Sequence, residues 1–220
     1  MHYLEPNMKS VPKLLFVIFW VTSLVSLRAQ EADDFALVRE EDSVFIYERW
    51  IKFPGSDPPQ DAREVKGVFA VNSSFKEVVR MLRDPKWVMK SQKHVSEFKV
   101  YPLPVDTAWL EYSYHDIPWP VADQDHFLIY KIERHDESGM FVTFESTPNA
   151  KLAPVRSGVD RMNLLGSWTL EKFTNEKIIV SYRIISEPSN IPRIFTDPII
   201  RRNIVTTIKS MIKILEEEDI

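Results

Sequence analysis

The sequence predicts an α+β domain in which a curved antiparallel sheet wraps around one long C-terminal helix. Three observations predict it. Runs rich in β-branched and aromatic residues follow one another from Val44 to Glu187, with turn-forming residues between them. A helical signal interrupts them after Val71, and a second, longer one follows Ile191. Short links between successive strands favour antiparallel pairing.

Val44–Ile51 reads as the first strand and Ala62–Val71 as the second. The turn cluster Pro54-Gly55-Ser56-Asp57-Pro58-Pro59 joins them into a hairpin. Ser74-Phe75-Lys76-Glu77 has capping-box spacing, in which the Ser hydroxyl accepts from a free helix N–H and the Glu reaches back. The helix it opens runs to about Arg83, with Phe75, Val78, Val79 and Leu82 on one face, and Asp84-Pro85 ends it. Lys86–His94 is expected to be irregular or a short helix. Strands are then expected at Val95–Leu103, Thr107–Asp116, His126–Arg134, Met140–Thr147, Met162–Phe173 and Ile178–Glu187. In the last segment Ile204, Ile208, Met211 and Leu215 form one apolar stripe, opposite Arg202, Lys209, Lys213 and Glu216. Asp197-Pro198 looks like an N-cap with proline in the first turn, which makes Ile191–Phe195 a separate turn or a kinked first segment.

Composition narrows the function classes. The 220 residues are 44% hydrophobic and 12% aromatic, with six Trp and thirteen Phe, enough for one substantial core or for the lining of a cavity. Five glycines leave little room for glycine-rich phosphate loops. The absence of cysteine excludes disulfides, thiolate nucleophiles and thiolate metal sites. A formal charge of −4 argues against nucleic acid as a partner.

At the N-terminus Lys9 and Lys13 precede the apolar run Leu14–Val21, which continues less strictly to Leu27 before Arg28-Ala29-Gln30 and an acidic stretch. That order is signal-peptide logic, and the run is short for a membrane span. Residues 1–29 are therefore expected to be a signal peptide of an exported (periplasmic or secreted) protein, the alternative being a retained anchor. Residues 30–43 are expected to be a short acidic helix or tether, and 44–220 the domain. Cleavage after Ala29 takes the formal charge from −4 to −6, which argues against standing attraction to anionic headgroups.

Three stretches carry a family resemblance. Pro118-Trp119-Pro120-Val121-Ala122-Asp123-Gln124-Asp125-His126 looks like the Pro-Trp-Pro-Val…Arg-Asp segment of the StAR-related lipid-transfer (START) domains. Gly158-Val159-Asp160-Arg161…Gly166-Ser167-Trp168 is similar to their Gly-x-x-Arg…Gly-Ser-Trp strand pair. Glu187-Pro188-Ser189-Asn190-Ile191-Pro192, with Asn203 and Thr206-Thr207-Ile208, resembles the segment leading into their closing helix. Order and spacing agree over about Val44 to Leu215. Gln124 departs from the family Arg, and Ser189-Asn190 from a Gly-containing turn. The resemblance implies the helix-grip fold, a hydrophobic tunnel between sheet and C-terminal helix, and an apolar ligand such as a sterol, phospholipid or sphingolipid, with the helix and a loop as gate.

The resemblance also implies the site residues. Arg161 is either a donor to a ligand head group or half of a structural ion pair. Glu111 is expected to face inward by the family's spacing, with Tyr130 where some members carry a charged partner. The parity of that strand stays open, because Leu110, Tyr112 and Tyr114 are at least as apolar as their neighbours. His126, Trp168, Ile204, Ile208 and Met211 complete the expected ligand-binding set, and Trp109 and Trp119 are further wall candidates. No His spacing suggests a metal site and no nucleophile-elbow motif is present, so no metal, cofactor or catalytic residue is expected.

The leading reading is a non-catalytic, monomeric carrier or sensor of a lipid or other apolar small molecule, with possible transient membrane contact. The alternatives are a cyclase- or hydrolase-like enzyme using the same cavity, and a protein-interaction module with a filled core.

Overall fold

The computed structural model describes residues 34–119, 121–188 and 193–217. The expected leader and the Ser189-Asn190 departure lie outside them. Ten strands form one sheet: β1 (Ala36–Glu41), β2 (Val44–Lys52), β3 (Asp61–Asn72), β4 (Val95–Pro102), β5 (Ala108–His115), β6 (Asp123–His135), β7 (Gly139–Ser146), β8 (Val159–Arg161), β9 (Leu164–Lys172) and β10 (Lys177–Ser186). Nine follow the order β1-β2-β3-β10-β9-β7-β6-β5-β4, each antiparallel to its neighbours, while β8 lies off that path and pairs parallel with β6. Helices α1 (Phe75–Arg83) and α2 (Pro85–Ser91) fall between β3 and β4, and α3 (Arg193–Glu217) closes the fold. This is the expected curved antiparallel sheet with a long C-terminal helix.

Three boundaries differ from expectation. The sheet begins at Ala36 rather than Val44, because part of the acidic segment is neither helix nor tether. Ala36–Glu41 pairs with β2 through a two-residue turn, Asp42-Ser43, whose φ values of 49° and 64° suit a tight hairpin. The expected strand at Met162–Phe173 is Leu164–Lys172, and a short strand that was not expected, Val159–Arg161, precedes it and pairs with β6. The last helix is continuous from Arg193, so Asp197-Pro198 lies inside it rather than capping it.

The capping box opens α1 as its spacing predicts. The Ser74 hydroxyl accepts from the Glu77 N–H at 3.2 Å, and Glu77 Oε2 accepts from the Ser74 N–H at 3.0 Å. Such a cap contributes about 1 kcal/mol. Asp84 ends α1 and opens α2: its carboxylate accepts from the Lys86 N–H at 2.8 Å, and Pro85 takes the first position, where no N–H is needed.

The core lies between the inner face of the sheet and the helices. Val78, Met81 and Leu82 of α1 join Val205, Ile208, Met211, Ile214 and Leu215 of α3 against the alternate residues of the strands. Helix α3 lies against β2 and β3 and meets α2. Its approach is close: a Cβ on Gly67 of β3 would stand 2.7 Å from Ile208 Cδ1. Ion pairs help to hold α3 down. Arg201 grips the Glu48 carboxylate at 2.9 and 2.7 Å, and Lys209 reaches Glu41 and Asp42 at 2.5 Å each.

The second face of β5 and β6 is covered as well. Leu152 and Ala153 of the β7–β8 connection pack on Tyr112, Tyr114 and Phe127. Asn149 shapes that connection, its side-chain oxygen accepting from the Lys151 and Leu152 N–H groups. This double burial explains why the alternation of β5 is unreadable from the sequence: the row Leu110, Tyr112 and Tyr114 is apolar because it is covered too, while the opposite row carries the polar Glu111, Ser113 and His115.

Candidate ligand-binding interior

Trp109, Glu111, Ser113 and His115 occur at every second position of β5 and share one face of the strand. Antiparallel register sets Tyr130 opposite Trp109, Leu128 opposite Glu111, and His126 opposite Ser113. The same row continues from Tyr130 to Phe144 on β7, while Trp168 of β9 faces Tyr182 of β10. An aromatic ladder results: Trp109–Tyr130 at 4.8 Å between centroids, Tyr130–Phe144 at 5.2 Å, Phe144–Tyr182 at 6.0 Å and Tyr182–Trp168 at 4.3 Å. Each such pair adds about 0.5–1.5 kcal/mol beyond its burial. Gly166 makes room for it. A Cβ there would lie 2.4 Å from Phe144 Cζ and 2.1 Å from the Arg183 carbonyl oxygen.

A buried polar cluster sits beside this ladder. Glu111 is 5% exposed, its Oε1 lies 3.2 Å from His126 Nε2, and Tyr130 donates its hydroxyl to the same carboxyl. Burial removes the water that would stabilise a carboxylate, and pushes Glu111 up to about 8, the Tyr130 bond opposing only in part. Burial also lowers His126 to about 4, against a smaller upward pull from Asp125. His115 falls to about 3, through burial and the neighbouring His126 and His94. At neutral pH Glu111 is therefore a neutral acid and both imidazoles are uncharged. A protonated Glu111 donates to His126 Nε2, which puts the remaining ring proton on Nδ1. Among the described residues that Nδ1 has no partner, nor have the indole nitrogens of Trp109 and Trp168. Three buried N–H donors on the inner face thus lack an acceptor among the described residues.

The expected site residues divide. Glu111, His126, Tyr130, Trp168, Ile208 and Met211 are all buried on the inner side, with Ile204 packed against the same cluster. Ile204 and Ile208 stand over Gly67, which pairs with Tyr182 in register. Arg161 is a correction. It forms a two-pronged ion pair with Asp125 at 2.5 and 3.0 Å and donates to the Ala153 and Pro154 carbonyls. Asp125, one residue from inward-facing His126, points to the opposite face, where Tyr112 also donates to it at 3.1 Å. Arg161 thus pins the connection that covers the outer face, and the head-group role is set aside. Trp119 is not a wall residue either, being 91% exposed. Ser113, His115, Phe144 and Tyr182 were not singled out by sequence reasoning. The period-two run Trp109-Glu111-Ser113-His115 is the signal that points to the first two. Among the described residues no group of three or more acidic or His side chains is arranged to hold a metal.

No family model matches the chain, and no curated protein does. Solved structures do. A STAR-related lipid transfer protein from Xanthomonas axonopodis aligns with a TM-score of 0.68 at 23% identity, over 83% of this chain and 99% of that one. Human StAR-related lipid transfer protein 5 aligns at 0.69 and 14% identity, over 91% and 95%. The Zhui aromatase/cyclase from Streptomyces sp. R1128 aligns more loosely, at 0.50 and 10% identity, over 71% and 97%. A sheet of this order closed by one long helix, aligned over most of its length with these solved STAR-related domains, identifies the architecture: the chain has the START-type helix-grip fold.

Proposed function

We propose that this domain holds a lipid or other apolar small molecule between its sheet and α3, as a non-catalytic carrier or sensor. The observation that carries the reading is the set of three N–H donors without a partner among the described residues, on a wall that joins an aromatic ladder to the buried Glu111–His126 pair. Buried polar groups are hydrogen-bonded in nearly all folded proteins, and each orphan costs about 1–3 kcal/mol. A ligand with an acceptor oxygen, such as a hydroxyl, ketone or ester on an apolar body, would satisfy them. The neutral state of Glu111 and His126 favours an uncharged polar group over an anion. The START fold and the lipid-transfer names of its structural relatives support the same reading. Entry requires α3 to move, and its ion-pair anchors are contacts to release. The N-terminal leader suggests that the protein acts after export.

Extraction and mass spectrometry of protein purified under native conditions test this. The expected result is one reproducible apolar species, lost on Trp109→Phe plus Trp168→Phe substitution. A protein that is reproducibly empty and does not bind fluorescent fatty-acid or sterol probes overturns the reading.

A second reading has one observation on its side. Glu111 and His126 form a buried acid–base pair with shifted proton affinities, and Ser113 Oγ lies 3.2 Å from His115 Nε2. Such groupings are characteristic of hydrolytic or cyclising sites. Labelling of Ser113 by a fluorophosphonate probe, absent in Ser113→Ala, supports a hydrolase. No labelling removes that form of it.

A further inference from the structure

We propose that Tyr182 and Trp168 form the subsite for the ligand's polar group, and that this group is a carbonyl, as in a ketone or an ester on an apolar body. The proposal rests on the carrier reading and deepens it, by naming which interior donors meet the ligand and what they meet. Tyr182 of β10 and Trp168 of β9 are cross-strand partners in register. Their ring centroids lie 4.3 Å apart with the planes 31° from parallel, so a phenol O–H and an indole N–H sit side by side on the inner face. The Trp168 nitrogen is buried and has no partner among the described residues. Tyr182 contacts Trp168 and Phe144 through its ring, and its hydroxyl makes no hydrogen bond among the described residues. That hydroxyl is nonetheless out of bulk water. Burial holds it well above the usual tyrosine range, and the Glu111 carboxyl adds to the rise, which sets the hydroxyl in the interior within electrostatic reach of Glu111.

The surroundings leave room at this place. Tyr182 is only partly buried, as are Ile184 on the same face of β10 and Ile204 and Ile212 of α3, although all four pack against the core. A desolvated hydroxyl on an incompletely covered ring borders a gap between sheet and helix. The other cross-strand neighbour of Tyr182 is Gly67, which has no side chain to close the gap, and Ile204 and Ile208 stand over it from α3. Two donors therefore line the sheet side of the subsite and aliphatic side chains the helix side. Trp109 stands at the far end of the aromatic ladder, beyond Phe144 and Tyr130, and His126 lies four residues along β6 from Tyr130, so neither shares the subsite.

The chemistry selects the occupant. An indole N–H can only donate, and a carbonyl oxygen has two lone pairs and no proton, so it accepts from both groups. A ligand hydroxyl brings a third proton. Whether it accepts both bonds or donates to the Tyr182 oxygen, one proton is left over in the subsite. A carboxylate or phosphate would carry a charge into an interior where burial holds even Glu111 neutral.

The test uses the full chain and two neutral fluorescent probes. One is a dimethylaminonaphthalene bearing a propionyl group, whose emission reddens when its ketone accepts hydrogen bonds. The other carries a propyl group in place of the propionyl. Each is titrated into wild type, Tyr182→Phe, Trp168→Phe and a control, Tyr101→Phe, whose ring packs on Phe127 in the outer-face cluster. Tyr182→Phe keeps the ring and deletes only the hydroxyl, and circular dichroism melts confirm that each variant is folded. Tyr182→Phe should weaken ketone binding roughly five- to tenfold, shift the bound emission to the blue and leave the propyl probe's affinity unchanged. Trp168→Phe should shift the ketone emission in the same direction, and Tyr101→Phe should change neither probe. Ketone affinity and emission in Tyr182→Phe equal to those of wild type overturn the proposal and leave the carrier reading standing. Equal weakening of both probes does the same, since it makes Tyr182 a packing residue. Binding of neither probe to wild type overturns the proposal and the carrier reading together.

Discussion

Replacing Glu111 with Gln should remove one limb of the protein's pH–stability profile. In the unfolded chain Glu111 titrates near 4.5, and in the fold burial holds it protonated to about 8. Between those values the unfolded state loses a proton that the native state keeps, so stability falls as pH rises, by about 1.4 kcal/mol per pH unit. The loss is complete by about pH 8, and the shift sets it at no more than about 5 kcal/mol. The histidines act in the opposite sense. His126 and His115 fall from 6.5 to about 4 and about 3, so the unfolded state binds protons that the fold refuses, and stability falls as pH drops below 6.5. The three groups together give a maximum near pH 6.5, with losses on both sides. Glutamine keeps an acceptor for Tyr130 and an amide N–H for His126 Nε2, so Glu111→Gln preserves the hydrogen bonds and deletes only the titration. Urea unfolding followed by Trp fluorescence, at intervals from pH 5 to 8.5, measures this. Wild type should lose stability from pH 6.5 to 8, and the variant should not. Parallel profiles for the two proteins would mean that Glu111 is ionised in the fold, and the account of a neutral polar cluster would be wrong.

Three further outcomes follow from the packing. Asp125→Ala should destabilise by about 3 kcal/mol or more in urea melts, because it leaves the guanidinium of Arg161 without its partner on the covered outer face. Gly67→Ala should cost about 1–3 kcal/mol through its clash with Ile208 Cδ1, and Ile208→Val, which removes that atom, should recover part of the loss in a double-mutant cycle. Arg201→Ala should lower hydrogen-exchange protection in α3 by freeing it from Glu48, while α1 stays protected; under the proposed function it should also speed release of a bound probe.

The element order, the capping box at Ser74 and the apolar stripe Ile204-Ile208-Met211-Leu215 were all legible in the sequence, because each depends on local chemistry or on a single period. Glu111, His126, Tyr130, Trp168, Ile208 and Met211, expected as ligand contacts on resemblance more than on periodicity, are buried on the inner side, with Ile204 at the edge of the same cluster. Local information failed wherever a distant segment decided the environment. Nothing near Ala36–Glu41 announces a strand, since its partner β2 and the Lys209 that binds Glu41 supply the reason for it. Arg161 reads equally well as a head-group donor or as half of an ion pair until the parallel pairing of β8 with β6 sets it beside Asp125. The parity of β5 was hidden because the Asn149–Ala153 connection covers its second face. The sequence by itself determined that a sheet rich in aromatics would close on an amphipathic helix. Only the tertiary structure decided which polar groups lose their water, because desolvation comes from residues far away in the chain. That loss is what makes Glu111 and His126 neutral and leaves three inner-face donors without a partner among the described residues.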